Sequence, residues 1–181
     1  MSTRSEFKKA KYFCGLIFRE GPARERAIAR LAELLSAIDG RSAVIPFIQT
    51  PYYHAEMGKP LFRQFLSFRQ LLGPERLPAV KLACMALEEE LSEEGRRTVN
   101  LDPGYLSEAN VIIATAKNHY HRVPLADGVY AHMEYVLKDG CIQFLPWTYP
   151  DFQSAPYLEF FNDLRERFRS ERKGREGGIS G

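Results

Sequence analysis

A chain of 181 residues with 45% hydrophobic and 12% aromatic side chains is long and apolar enough to build one packed domain. Its 25 Lys and Arg balance 23 Asp and Glu, so the net charge of +2 gives no global reason to expect nucleic acid or an anionic membrane as partner. No apolar run approaches the ~20 residues of a membrane span and no signal-peptide stretch opens the chain, which points to a cytoplasmic protein. The cysteines, Cys14, Cys84 and Cys141, are odd in number and far apart, so they read as small buried hydrophobes rather than a zinc or redox site.

In chain order, "KYFCGLIF" (11–18) is a buried strand, broken by Gly21 and Pro22. A helix follows over 22–38, with Ala27, Ile28, Leu31, Leu34, Leu35 and Ile38 at helical spacing and Gly40 beyond its end. "SAVIPFIQ" (42–49) is a strand whose Pro46 suggests an edge or a bulge. After the loop "TPYYHAEMGKP", the run "LFRQFLSFRQLL" favours a strand. Leu77, Val80, Cys84, Leu87 and Leu91 then mark a second helix stopped by Gly95. "RRTVNLD" resumes as a strand, and "DPGY" has turn chemistry at its end.

That order, βαββαβ, predicts an α+β fold with a ferredoxin-like core: an antiparallel sheet with two helices on one face. A β-hairpin extension follows, comprising "NVIIATAK" (with Ser107 as an alternative helix cap) and two hairpins turning at Asp127-Gly128 and Asp139-Gly140, where both central residues of a type I′ turn need positive φ. A final helix places Tyr157, Phe160, Phe161, Leu164 and Phe168 on one face. The expected organisation is a flexible 1–10, a single α+β domain over 11–172, and a disordered tail over 173–181.

The motifs "YYHAEMG", "FLSFRQLL", "VNLDPGYL", "HRVPLADGVYA" and "PWTYPDF", in that order, resemble the Domain of Unknown Function 4416 family of uncharacterised bacterial and archaeal proteins. The resemblance spans Lys11 to about Arg169 and implies no particular reaction, because the family has none established. Asn118 and His132 stand where an acidic residue is usual in that family, so the resemblance does not itself give His132 a role.

The stretch "NHYHRVPLADGVYAHMEYV" gathers three of the four histidines and Glu134 around one Asp-Gly pair. A two-residue loop would put Val123 opposite His132 and His121 opposite Glu134, setting His119, His121, His132 and Glu134 on one sheet face, where they could act as an acid–base pair or hold Zn²⁺ or Fe²⁺. A three-residue loop would pair Val123 with Ala131 and Arg122 with His132, and the cluster would dissolve. The spacing matches no recognised metal motif, so no metal ligands are assigned, and no cofactor is indicated.

The favoured reading is a small-ligand-binding or enzymatic domain. Its polar pocket is expected to form from the "DPGY" turn and the His-rich hairpin, with Asp102, His121 and Glu134 as candidate catalytic groups. Tyr53, Glu56, Tyr105, Lys117, Arg122, His132 and Asp151 are the candidate ligand contacts. The alternative is a non-catalytic module that binds nucleotide, RNA or protein on an open sheet face, with Arg63, Arg69 and Arg122 as the cations. No glycine-rich phosphate loop is present, and the Arg-rich last helix reads as a solvated face, so the expected partner is a small polar ligand or nucleotide rather than a nucleic acid or membrane. The oligomeric state is not readable.

Overall fold

The computed structural model describes residue 3 and residues 5–176. The elements in chain order are β1 (Ala10–Phe18), α1 (Pro22–Leu34), β2 (Ile38–Arg41), β3 (Ile45–Pro46), the one-turn α2 (His54–Met57), β4 (Phe62–Leu72) and α3 (Leu77–Glu90). Then follow β5 (Val99–Leu106), β6 (Asn110–Thr115), β7 (Val123–Ala126), β8 (Val129–Lys138), β9 (Cys141–Phe144) and α4 (Ala155–Glu176). The strands form one antiparallel sheet in the order β2-β4-β1-β5-β6-β8-β7, with β3 added to β4 and β9 to β8.

Every residue of β1 is buried, which is why its sequence is a nearly unbroken apolar run. Alternation sends Tyr12, Cys14, Leu16 and Phe18 to one face, where they pack with Ala27, Ile28 and Leu31 of α1 and Leu77, Val80, Cys84 and Leu87 of α3. Phe13 points the other way, into a second core with Phe65 of β4, Tyr135 and Leu137 of β8, and Tyr157, Phe160, Phe161, Leu164 and Phe168 of α4. Phe65 stacks on Phe160 with centroids 5.1 Å apart and meets Tyr157 and Phe161 edge-on. Each such buried ring stabilises the fold by about 1.5–3 kcal/mol.

Several expectations change. The fold is mixed α and β with a large antiparallel sheet, but a four-stranded ferredoxin-like core does not describe it, because the "extension" strands β6 to β9 continue the same nine-stranded sheet. Nor is the second face of the sheet open: α4 lies on it, and Arg63, proposed above as an RNA-binding cation, is buried. The expected strand over 42–49 is only a two-residue bridge at Ile45–Pro46, with a separate β2 before it, and the first helix ends at Leu34.

"DPGY" is not a turn. Asp102 to Tyr105 run inside β5, registered against Tyr12 to Gly15 of β1. Local turn preference is overridden by close packing: a Cβ on Gly104 would stand 2.3 Å from the Ile112 carbonyl oxygen and 2.6 Å from the Phe13 ring, so the strand pairing requires glycine. Both Asp-Gly hairpins form as expected, with positive φ at Asp127, Gly128, Asp139 and Gly140. Cys14 and Cys84 are buried free thiols, whereas Cys141 is exposed on the short outer strand β9. The last helix continues to Glu176, and residues 177–181 of the expected tail lie outside the described residues.

Candidate functional site

The sheet parts at its centre. β5 pairs with β1 along its whole length, but with β6 only across Gly104–Leu106, while β6 stays with β8 as far as Thr115. Pro103, the next residue toward the amino end of β5, has no N–H with which to extend the β5–β6 ladder. Beyond it the two strands diverge around a cleft of about 450 Å³. Asn100 and Asp102 line one side and Ala114 to Lys117 the other, with Lys81 and Glu88 of α3, Tyr149 to Phe152, and the loop from Phe47 to Tyr53 completing the wall. The volume lies in the range usual for small-molecule sites.

Arg63 organises the cleft floor. Its guanidinium donates to Asp102 Oδ2 at 3.2 Å and to the Tyr157 hydroxyl at 3.2 Å, and lies 3.8 Å from Asp151 Oδ2. It crosses β1 over Gly15, where a Cβ would come within 2.8 Å of it. Burial alone would lower the Arg63 pKa, but Tyr157, Asp102 and Asp151 hold it above the ordinary arginine value. Asn100 Nδ2 also donates to Asp102 Oδ2, at 3.0 Å, and the buried Lys81 ammonium lies 3.8 Å from Oδ1 while donating to the Leu101 carbonyl at 2.7 Å. One Asp102 oxygen is thus held by two donors, and the side chain keeps 27% of its exposure.

A second network supports that floor. Arg97 grips Glu56 through two bonds of 2.8 and 2.6 Å and donates to Asn100 Oδ1 at 2.9 Å. These bonds hold the Glu56 carboxyl below its ordinary pKa, whereas burial pushes that of Glu88, which accepts the Leu101 N–H at 2.6 Å, upward. Burial likewise raises the Tyr53 hydroxyl. At the mouth the Lys117 ammonium sits 3.8 Å above the Tyr52 ring centre and lowers the pKa of that phenol.

The histidines adjoin this cleft through a register that neither simple hairpin predicts. Asp127-Gly128 is a two-residue loop with Ala126 opposite Val129, but a shift at Leu125 then brings Val123 opposite Ala131. The strand pairing ends there, and a tight turn, closed by the Arg122 N–H to the His119 carbonyl, swings the histidines back. His121 Nε2 reaches His132 Nδ1 at 3.1 Å, and His119 Nδ1 reaches His121 Nδ1 at 3.0 Å. Glu134 is the extra residue of a bulge in β8, between Met133 opposite Ile112 and Tyr135 opposite Val111.

The bulge leaves Glu134 fully buried, its Oε2 2.5 Å from His132 Nε2 and its Oε1 accepting the Tyr149 N–H at 2.7 Å. The Oε2–Nε2 approach is a close polar contact off the N–H axis, since neither atom completes an aligned hydrogen bond. Two aromatic rings brace the imidazoles: His121 stacks on Trp147 at 4.9 Å and His132 on Tyr149 at 4.9 Å. Burial pushes the Glu134 carboxyl up, with His132 acting against it, and desolvation, followed by the neighbouring His132, His119 and Arg122, lowers the His121 pKa.

Of the residues singled out in the sequence, Asp102, Tyr53, Lys117, His132 and Asp151 line the cleft together. His121 and Glu134 flank His132 behind that lining, Arg122 ties its Nη2 to the Tyr149 hydroxyl at 2.6 Å, and Glu56 acts through Arg97. Tyr105 does not line the cleft: it packs against Tyr12 on the side of α1 and α3, because β-strand alternation turns it away from Asp102. Among the described residues no group of three His, Cys, Asp or Glu is arranged to hold a metal ion.

Sequence reasoning passed over Lys81, Glu88, Arg97 and Asn100. A signal was available for two of them, because Lys81 and Glu88 fall on the apolar stripe of α3 beside Leu77, Cys84 and Leu91, where an unpaired charge has no reason to sit. The chain matches no curated protein and no solved structure. Residues 8–168 match the model of the family described as Domain of unknown function (DUF4416), across the strands and loops that build the cleft, and the chain belongs to that family.

Proposed function

We propose that the cleft is a binding site for a small polar ligand, and that Asp102 receives a hydrogen-bond donor of that ligand. The observation that carries this reading is the asymmetry of the Asp102 carboxylate. Arg63 and Asn100 fix its Oδ2, and the side chain retains access to a cleft whose other walls include Phe47, Tyr53 and Tyr149. A carboxylate oriented by a buried guanidinium costs no reorganisation on binding, and aromatic walls favour a flat or apolar body behind the donor group. His132 is on the same lining, but its Nδ1 is engaged by His121 and Arg122 and its Nε2 lies against Glu134, so a ligand meets the ring rather than a free nitrogen.

Native mass spectrometry of the purified protein, followed by a thermal-shift panel of amines, amides and nucleosides, tests the reading. A ligand at about 100 times its Kd stabilises the folded state by about 2.7 kcal/mol. At roughly 2–4 °C per kcal/mol for a chain of this size, the melting point rises by about 5–10 °C. The shift is expected to vanish in Asp102→Asn. No retained molecule and no Asp102-dependent shift across the panel would count against the site.

A further inference from the structure

We infer that His119, His121, His132 and Glu134 form a directional proton wire leading from solvent to a buried carboxylate behind the cleft wall. The four groups follow one another without a gap. His119 is exposed, His121 half-buried, and His132 and Glu134 buried, and the successive contacts are 3.0, 3.1 and 2.5 Å. Their connectivity distinguishes a wire from a chelate. His121 turns its Nδ1 to His119 and its Nε2 to His132, and His132 turns its Nδ1 to His121 and its Nε2 to Glu134. The nitrogens are therefore spent in series, so they do not converge on a common point.

Arg122 sets the polarity. Its Nε lies 3.3 Å from His132 Nδ1, and a guanidinium can only donate, so that imidazole nitrogen is an acceptor. His132 then carries its proton on Nε2, the nitrogen that lies 2.5 Å from Glu134 Oε2, although its N–H axis is not aligned on that oxygen. His121 must donate to His132 from Nε2, leaving its own Nδ1 as an acceptor, and His119 must donate to it from Nδ1. The N–H bonds of His119 and His121 consequently point inward, that of His132 sits at the Glu134 contact without being aligned on it, and the Nε2 lone pair of His119 is left for water. The other polar groups facing the inner end are the Tyr149 hydroxyl, Asp151 and, on β8 itself, Tyr135.

Transfer balances simply. A proton from hydronium or a buffer acid adds to His119 Nε2, and His119 passes its Nδ1 proton to His121 Nδ1. His121 passes its Nε2 proton to His132 Nδ1, and His132, once the carboxylate turns onto its N–H axis, passes its Nε2 proton to Glu134 Oε2. Each ring gains one proton and loses one; the net change is one solvent proton consumed and one carboxylate converted to its acid. The bulge that buries Glu134 favours that acid form, and the new N–H at His132 Nδ1 displaces the long Arg122 bond. The wire deepens the cleft reading and rests on it only for the eventual use of the proton.

Long-range ¹H–¹⁵N correlation spectra of histidine-labelled, ligand-free protein at neutral pH read the tautomers directly. The expected result is a proton on Nδ1 of His119 and on Nε2 of both His121 and His132. In His121→Gln, a substitution in a partly exposed turn, His119 should lose its Nδ1–H preference and revert to the Nε2–H form usual for a free imidazole. A proton on His132 Nδ1, an Nε2–H tautomer for His119 in the unaltered protein, or a His119 spectrum unmoved by His121→Gln would overturn the wire. Because no ligand is present, correct tautomers beside a cleft that binds nothing would sink the ligand reading alone.

Discussion

Arg63→Met removes the one cation, among the described residues, that faces both Asp102 and Asp151 while keeping most of the side-chain volume. At an effective dielectric of about 20, the 3.2 Å contact to Asp102 corresponds to roughly 5 kcal/mol of Coulomb attraction and the 3.8 Å contact to Asp151 to roughly 4 kcal/mol. Desolvating the guanidinium offsets several kcal/mol of that sum. The rings of Phe47, Phe65, Phe152 and Tyr157, which lie 5.3–5.9 Å from the guanidinium carbon, accept a methionine without leaving a large void. The expected loss therefore comes from stranding two carboxylates and is about 3–5 kcal/mol, toward the lower end because Asp102 is 27% exposed and can recruit water. Adding Asp102→Asn should recover about 1–3 kcal/mol, since the two sites share one ion pair and do not act independently. Urea unfolding followed by circular dichroism and by Trp147 fluorescence, with m held constant across the variants, measures both quantities. A loss below about 1 kcal/mol in the single variant, or no recovery in the double, would refute the claim that Arg63 holds the cleft floor electrostatically.

Gly104→Ala should cost about 1–3 kcal/mol or more and lower the melting point, because the added methyl meets the Ile112 backbone at 2.3 Å rather than a movable side-chain tip; an unchanged melting point would mean the β5–β6 pairing is not pinned there. Glu56→Gln should cost at most about 1 kcal/mol at neutral pH, the pair with Arg97 being partly exposed. Since Arg97 lowers the Glu56 pKa in the folded protein, its contribution is present above the ordinary carboxylate range and disappears as pH falls through the lowered value. The gap in melting point between parent and variant should accordingly close on acidification, and a gap independent of pH would exclude the charge of Glu56 as its source.

Much of the scaffold was legible because its causes are local. The nearly unbroken apolar run of β1, the helical spacing in α1 and α3, and the positive-φ demand at Asp127-Gly128 and Asp139-Gly140 each act within a few residues of chain. The site was legible only as a list of residue types. Asp102 and His132 could be picked out as ionisable groups, but their meeting in one cleft depends on where Pro103 ends a ladder and where β6 leaves β5, and neither follows from the residues nearby. Lys11 makes the same point: it stands in an otherwise apolar strand and is fully buried, with Asp39 of β2 and Glu171 of α4 supplying the countercharge from 28 and 160 residues away.

What the sequence determined by itself was the long helices, the first strand and the two Asp-Gly hairpins, since periodicity and turn chemistry act over the length of a single helix or hairpin. Which charges would be buried, which strands would separate and which histidines would touch was decided by tertiary structure, because a carboxylate or imidazole acquires its partners, dielectric and proton position from groups that only folding brings within about 4 Å.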